Sequence, residues 1–127
     1  MTLVDTSVLV NAFTGHRRLA TALLRALEDG ERLVMPSIVL YEWLRGPRRP
    51  EELGVQEALI PSEHAVPFGV PDALLAGKLY RALRRPRERE IDLAIAACAI
   101  VRDTPLWTVN EKDFVDIPGL RLAHFDP

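Results

Sequence analysis

Residues 2–5 of this chain read TLVD and are followed at residues 6–13 by TSVLVNAF. The apolar pair Leu3 and Val4 indicates a short buried strand, and Asp5 places a carboxylate at its carboxyl end. In open α/β sheets, ligands bind outside the carboxyl ends of the strands. Asp5 is therefore the first candidate functional residue, and Thr6 or Ser7 is a candidate cap for the helix that follows.

After this strand, the spacing of apolar residues predicts alternating strands and helices along the rest of the sequence. Leu19, Leu23 and Leu27 recur at helical spacing, and Gly30 is a typical helix end. We expect further strands over residues 33–35, 64–68, 106–109 and 120–124. We expect further helices over residues 37–45, 51–60, 88–102 and 111–114, and one from Pro71 to a break at Pro86. This order predicts one α/β domain, residues 1–127, folded as a three-layer α/β/α sandwich around a mostly parallel sheet.

Composition excludes several classes of protein. Sixteen basic and 18 acidic residues give a net charge of −2, unlike a strongly basic nucleic-acid binder. A hydrophobic content of 48% excludes a disordered chain, and a single cysteine, Cys98, excludes a disulfide scaffold. The longest apolar run without charge, residues 93–101, is too short for a bilayer span of about 20 residues, and no signal peptide is evident. We therefore expect a soluble, cytoplasmic protein with no membrane contact.

Acidic residues gather at the predicted edge of the sheet. The strand at residues 106–109 leads into Asn110 and Asp113, on the same edge as Asp5 if the strands are parallel. Glu42 lies in the apolar helix IVLYEWL, and Asp92 opens the apolar helix IDLAIAACAIV. Burying several carboxylates requires a raised pKa, an arginine partner or a divalent cation, and hard oxygen ligands suit Mg²⁺ or Mn²⁺.

Each of these acids also has a purely structural explanation. Asp5 could accept hydrogen bonds from the next helix, and Asp92 could favour a helix N-terminus through the dipole. Glu42 could form a salt bridge with an arginine. Asp116 competes with Asp113 for the position of the fourth acid.

Four segments, in this order and at these separations, resemble the PIN-domain family and specifically the VapC-like toxins of toxin–antitoxin pairs. They are VDTSVLV around Asp5, PSIVLYEWLRG around Glu42, IDLAIAACAI around Asp92, and TVNEKDF, followed by PGLRL, around Asp113. No single segment is specific, but their order and spacing are. The resemblance covers essentially the whole chain, although residues 50–71 contribute nothing to it.

The resemblance implies a Mg²⁺- or Mn²⁺-dependent endoribonuclease. Its catalytic and metal-binding acids map to Asp5, Glu42, Asp92 and Asp113, and its supporting residues map to Thr6, Ser7 and Asn110. Physical chemistry adds a mechanism in which the metal ion lowers the pKa of a water that attacks phosphorus. Glu42 is a further ligand or accepts the proton of that water, and the sequence is compatible with one metal ion or two. Many family members carry an arginine where this chain has Val109, which removes one phosphate contact.

The resemblance also implies partners: an RNA substrate, a cognate VapB-like antitoxin and a second copy in a homodimer. Candidate RNA contacts are Arg45, Arg48, Arg49, Arg85 and Arg87, which could equally be loop charges paired with nearby glutamates. One alternative function is a non-catalytic PIN-fold interaction protein. Another is an aspartyl-phosphate protein with Asp5 as nucleophile, a class that needs a well-placed lysine, and the only lysines are Lys78 and Lys112.

Overall fold

The central sheet has three parallel strands in the computed structural model, which describes residues 1–126. β1 (Thr2–Val4) lies between β2 (Leu33–Val34) and β3 (Leu106–Trp107). All residues of these strands are buried, as expected where helices cover both faces of a parallel sheet. The predicted parallel α/β sandwich is confirmed, and the carboxyl ends of β1 and β3 lie side by side.

Six α-helices surround the sheet within residues 1–126. They are α1 (Thr6–Phe13), α2 (Ala20–Glu28), α3 (Ser37–Arg45), α4 (Pro50–Leu59), α5 (Val70–Ala82) and α6 (Glu90–Val101). Short 3₁₀ turns occupy Ser62–His64, Pro86–Arg89 and Glu111–Asp113. Each predicted helix is confirmed to within a few residues, and the helix begun near Pro71 ends before Pro86, as predicted.

Two predicted strands are wrong. Residues 64–68 and 120–124 each form a single bridge, Pro36 with Val66 and Leu106 with Leu122. Pro67 follows Val66 and has no N–H to extend the first ladder. β3 ends at Trp107, two residues earlier than expected, so the second segment has no longer strand to pair with.

The core is built on α6, whose apolar run is buried nearly all round, as the sequence predicted for it. Cys98 packs there as a small residue, and burial raises the pKa of its thiol to about 11. Elsewhere in the core, Trp43 of α3 donates a hydrogen bond to the buried amide of Gln56 in α4 at 3.2 Å. Within residues 1–126 there is no helix of the length and apolar character that crossing a bilayer requires.

A buried ion pair joins α5 to the end of α6. Asp72 is 1% exposed and accepts from both terminal nitrogens of Arg102, at 2.7 and 3.3 Å, and from the backbone N–H of Gly69 at 2.7 Å. Burial alone raises the pKa of Asp72, but Arg102 and the Gly69 N–H outweigh it and hold that pKa below its ordinary value.

We expect Arg102→Gln to lower the free energy of unfolding by about 3 kcal/mol at neutral pH, because it leaves the Asp72 carboxylate buried without its cation. The loss should shrink as the pH falls through the folded-state pKa of Asp72, because a depressed carboxyl pKa stabilises the fold only where the group is ionised. Urea denaturation at about pH 7 and pH 3 measures both effects. Arg121→Gln, which removes the exposed pair with Asp103, is the control and should change stability by less than about 1 kcal/mol.

Candidate active site

Asp5 is a buried carboxylate at the carboxyl end of β1. Its backbone N–H donates to the Trp107 carbonyl at 2.9 Å, which fixes it beside the end of β3. Two hydroxyls donate to the same carboxylate oxygen, Oδ2: that of Ser7 at 2.7 Å and that of Thr108 at 2.8 Å. In the part of the chain that the structure describes, no donor reaches Oδ1, so this oxygen is available to another ligand.

The expectation that Thr6 or Ser7 caps α1 is wrong, because neither hydroxyl bonds a backbone N–H at the start of that helix. Ser7 binds Asp5, and Thr6 donates to Oε1 of Glu42 at 2.6 Å. Both hydroxyls therefore orient acids that the sequence singled out. Thr108 was not predicted, and its only local signal is its position at the end of β3.

Glu42 projects from α3 towards the first turn of α1. Its Oε1 is held by Thr6, and its Oε2 lies 3.3 Å from Nη2 of Arg45. Both interpretations of this residue are therefore realised, since it faces the acidic edge and also pairs with an arginine. The pair is partly exposed, so it contributes little to stability and leaves Oε2 able to change partners.

Asp92 lies in the first turn of α6 and is half-buried. Its pKa is raised to about 6, first by burial and then by the negative charges of Asp5, Asp113 and Glu42, with a smaller opposing effect of Arg89. The four predicted acids therefore share one electrostatic neighbourhood, although they come from four separate segments of the chain.

Asp113 and Asp116 have different surroundings. Asp113 lines a cleft with Asp92, and in residues 1–126 its carboxylate has no hydrogen bond or ion pair. The Asp116 carboxylate is bound at 2.6 and 2.9 Å by Arg89, which holds the pKa of Asp116 below its ordinary value. Of the two, Asp113 is the acid with free oxygens at the site. Asn110 supports it through its carbonyl, which accepts from the Asp113 N–H at 2.9 Å.

The donor chemistry of this cluster fits a divalent cation. Its members are carboxylates whose mutual repulsion, with burial, disfavours the ionised form of Asp92, and a cation relieves such repulsion. As the side chains stand in residues 1–126, no three carboxylate, imidazole or thiol groups converge on one ion position. The carboxylates would therefore have to draw together around an ion.

Cations border the cluster on one side. Arg84, Arg85 and Lys112 line the same cleft as Asp92 and Asp113, which has a volume of about 320 Å³. Within residues 1–126, none of these three cations has an ion pair. Arg85 was a predicted RNA contact, and Arg84 adjoins it in the same basic segment, whereas Lys112 was missed although it adjoins Asp113 in sequence.

The other predicted RNA contacts do not line this cleft. Arg45 pairs with Glu42, Arg48 lies over the Trp43 ring at 4.2 Å from its centroid, and Arg49 bonds the acids at the start of α4. Arg87 is exposed and does not line the cleft. RNA contact by these four arginines stays a prediction, and three of them already have partners within the chain.

The three-stranded parallel sheet with acids at its carboxyl edge is the arrangement expected for the PIN fold. The PIN domain family model matches residues 2–120, and the chain belongs to that family. It is 31% identical over 123 residues to ribonuclease VapC19 of Mycobacterium tuberculosis, covering 95% of this chain and 98% of that protein. It is 30% identical over 134 residues to ribonuclease VapC1 of Methanocaldococcus jannaschii, covering 98% and 86% of the two chains.

Solved structures agree with this assignment. A chain of the VapBC2 complex of Rickettsia felis, bound to a promoter DNA fragment, superposes with a TM-score of 0.78 at 25% identity, covering 98% of both chains. A chain of the DNA-bound VapBC complex of Salmonella typhimurium gives a TM-score of 0.74 at 25% identity, covering 96% of both chains.

Proposed function

We propose that this protein is an endoribonuclease of the VapC type, the toxin of a VapBC toxin–antitoxin pair, and that its activity depends on Mg²⁺ or Mn²⁺. The observation that carries the proposal is that Asp5, Asp113 and Glu42 lie near enough to half-buried Asp92, at the carboxyl edge of the sheet, for their charges to raise its pKa. Full-length similarity to ribonucleases VapC supports RNA as the substrate.

Asp5, Asp92 and Asp113 would hold the cation, with Glu42 as a further ligand or as the acceptor of a proton from water. The chemistry that such a cation supplies is a more acidic water and a neutralised phosphate oxygen. Ser7 and Thr108 fix one oxygen of Asp5 and leave the other free, while Thr6 fixes Glu42 in the same way. These hydroxyls prepare the acids before substrate arrives, so less reorganisation is needed during the reaction.

The cations that border the cleft would hold the phosphates of the RNA strand next to the acids. Arg84, Arg85 and Lys112 have free charges there, and single-stranded nucleic acid follows such grooves. The partners that we propose are RNA, a VapB-like antitoxin and a second copy of this chain. We place its activity in the cytoplasm, where RNA is available and the free Cys98 stays reduced.

We expect the triple variant Arg84→Gln, Arg85→Gln and Lys112→Gln to bind RNA more weakly by at least about tenfold at low salt. The slope of log affinity against log salt should fall by about 2, because three phosphate contacts are lost at about 0.7 each. Fluorescence anisotropy with labelled single-stranded RNA measures both quantities. The double variant Arg48→Gln and Arg49→Gln is the comparison, because these arginines are engaged within the chain. A larger loss in the double variant would contradict this placement of the RNA.

Mapping of RNA ends tests the function itself. Cellular RNA incubated with the purified protein and Mg²⁺ should acquire discrete new ends that also identify the target. Binding of RNA or antitoxin with no new ends, in Mg²⁺ or Mn²⁺, would favour a non-catalytic interaction protein of the same fold.

A further inference from the structure

We infer that Arg89 is a positioning residue, and that its ion pair with Asp116 holds the turn carrying Asp113 against the start of α6, which carries Asp92. The inference rests on the proposed function, because it concerns how two acids of the site are brought together. It concerns an arginine and an acid that the proposed mechanism does not otherwise use.

The contacts of Arg89 define a clamp, meaning here the Arg89–Asp116 ion pair together with the bond from Arg89 to the Asp113 carbonyl. The two terminal nitrogens bind the two oxygens of Asp116 at 2.9 and 2.6 Å, a two-pronged arrangement that only arginine provides. Nη2 also donates to the backbone carbonyl of Asp113 at 2.8 Å. The same guanidinium thus fixes the backbone from which the Asp113 carboxylate projects.

The sheet does not reach this turn, which in residues 1–126 is otherwise tied by a side-chain pair of Glu111 with His124 on its exposed side. β3 ends at Trp107, and the backbone bonds of the 3₁₀ turn are local, from Asp113 to Asn110 and from Phe114 to Glu111. Phe114 is buried beneath the turn, but apolar packing restrains direction less strictly than a forked hydrogen bond does. Within residues 1–126, Arg89 is the side chain that hydrogen-bonds this turn from the side of α6.

The position of Arg89 suits this role more than a role in holding substrate. Its side chain is only 14% exposed, and both terminal nitrogens are occupied by Asp116 and Asp113. Its Nε is buried without an acceptor in the described part of the chain, so the terminal nitrogens set the orientation of the guanidinium, through Asp116, the Asp113 carbonyl and, at 3.4 Å, the Arg84 carbonyl. The backbone changes direction just before Arg89. Arg85 adopts a left-handed conformation with φ of 51°, immediately before the 3₁₀ turn Pro86–Arg89.

Mn²⁺ binding by metal-stripped protein tests the inference without relying on cleavage. We expect Arg89→Gln to weaken Mn²⁺ affinity by about 10-fold or more, as loss of groups that orient metal ligands commonly does. Amide hydrogen exchange at residues 110–117 should accelerate in the same variant. Arg89→Lys should restore only part of the affinity, because an ammonium cannot fork. Isothermal titration calorimetry and exchange mass spectrometry provide the two measurements.

Two further variants keep the test decisive. Asp116→Asn weakens the clamp at its half-exposed carboxylate, so it can replace Arg89→Gln if that variant does not fold. We expect it to lower Mn²⁺ affinity and to accelerate exchange at residues 110–117, both to a smaller degree. Arg121→Gln removes an exposed arginine–aspartate pair of similar chemistry and should change neither quantity. Folded Arg89→Gln and Asp116→Asn proteins with wild-type Mn²⁺ affinity and wild-type exchange would overturn the inference.

Failure of the inference and failure of the proposed function give different results. Wild-type protein that neither binds Mn²⁺ nor cleaves RNA overturns the proposed function, and exchange at residues 110–117 then still decides whether Arg89 holds the turn. Wild-type protein that binds Mn²⁺ and cleaves RNA, with variants that match it in both measurements, overturns the positioning role alone.

Discussion

Asp5→Asn is expected to reduce RNA cleavage by about a thousandfold or more while the protein keeps its fold. The substitution preserves the shape of the side chain and an oxygen that can accept from Ser7 and Thr108. It removes the negative charge of the carboxylate, whose second oxygen, Oδ1, accepts no hydrogen bond in the described residues. Cleavage rates on a defined RNA and circular dichroism spectra give the activity and the fold.

A matched control separates the loss of this carboxylate from the loss of any carboxylate. Asp103→Asn makes the same chemical change at a residue that is 95% exposed and lies just beyond the C-terminal end of α6, whereas Asp92 lies in its first turn, so cleavage should continue at the wild-type rate. Cleavage by Asp5→Asn protein at the wild-type rate would remove Asp5 from the mechanism.

Asp92→Asn is expected to have two opposite effects: a loss of cleavage comparable to that of Asp5→Asn, and a more stable metal-free protein. The pKa of Asp92 is about 6, above the ordinary 3.8, so the folded state binds the proton more tightly than the unfolded state. Stability from this group is therefore complete below about pH 4 and is lost as the pH rises through about 6. At neutral pH the ionised carboxylate opposes folding, and asparagine removes that charge.

Thermal unfolding in EDTA measures the second effect. Asp92→Asn should unfold a few degrees higher than wild type at about pH 7.5, and the difference should shrink towards pH 4; solvent screening of a half-buried group keeps the shift modest. Mg²⁺ should raise the unfolding temperature of the wild type more than that of the variant. A metal-free Asp92→Asn protein that is less stable at pH 7.5 would contradict the repulsion inferred among these acids.

Much of the fold could be predicted from local pattern, because its elements are short and clearly bounded. Leu3 and Val4 form a buried strand followed directly by an acid, and α3 begins and ends at the predicted residues. The predictions failed where pairing depended on a partner elsewhere in the chain. Val66 and Leu122 lie in apolar segments, yet each makes only one bridge, because the neighbouring backbone does not continue the ladder.

For the site, too, local features could be predicted and contacts between distant segments could not. The four acids were recognisable because a carboxylate inside an apolar helix or at a strand end is costly to bury and indicates a partner or a ligand. Thr6 and Ser7 were predicted as supporting residues from the resemblance. The supports from distant segments were not recognisable, because Thr108 binds Asp5 across 103 residues and Arg89 binds Asp116 across 27. Arg48 shows the reverse error: its basic segment indicated RNA contact, but its guanidinium covers the Trp43 ring.

The dependence of cleavage on a divalent cation is tested most directly by the initial rate of RNA cleavage by metal-stripped protein, measured as Mg²⁺ is added stepwise. We expect no cleavage in EDTA, a rate that rises to saturation with Mg²⁺ or Mn²⁺, and no recovery by Asp5→Asn protein at the saturating concentration. Cleavage at the full rate in EDTA, by protein confirmed to be free of metal, would contradict this dependence.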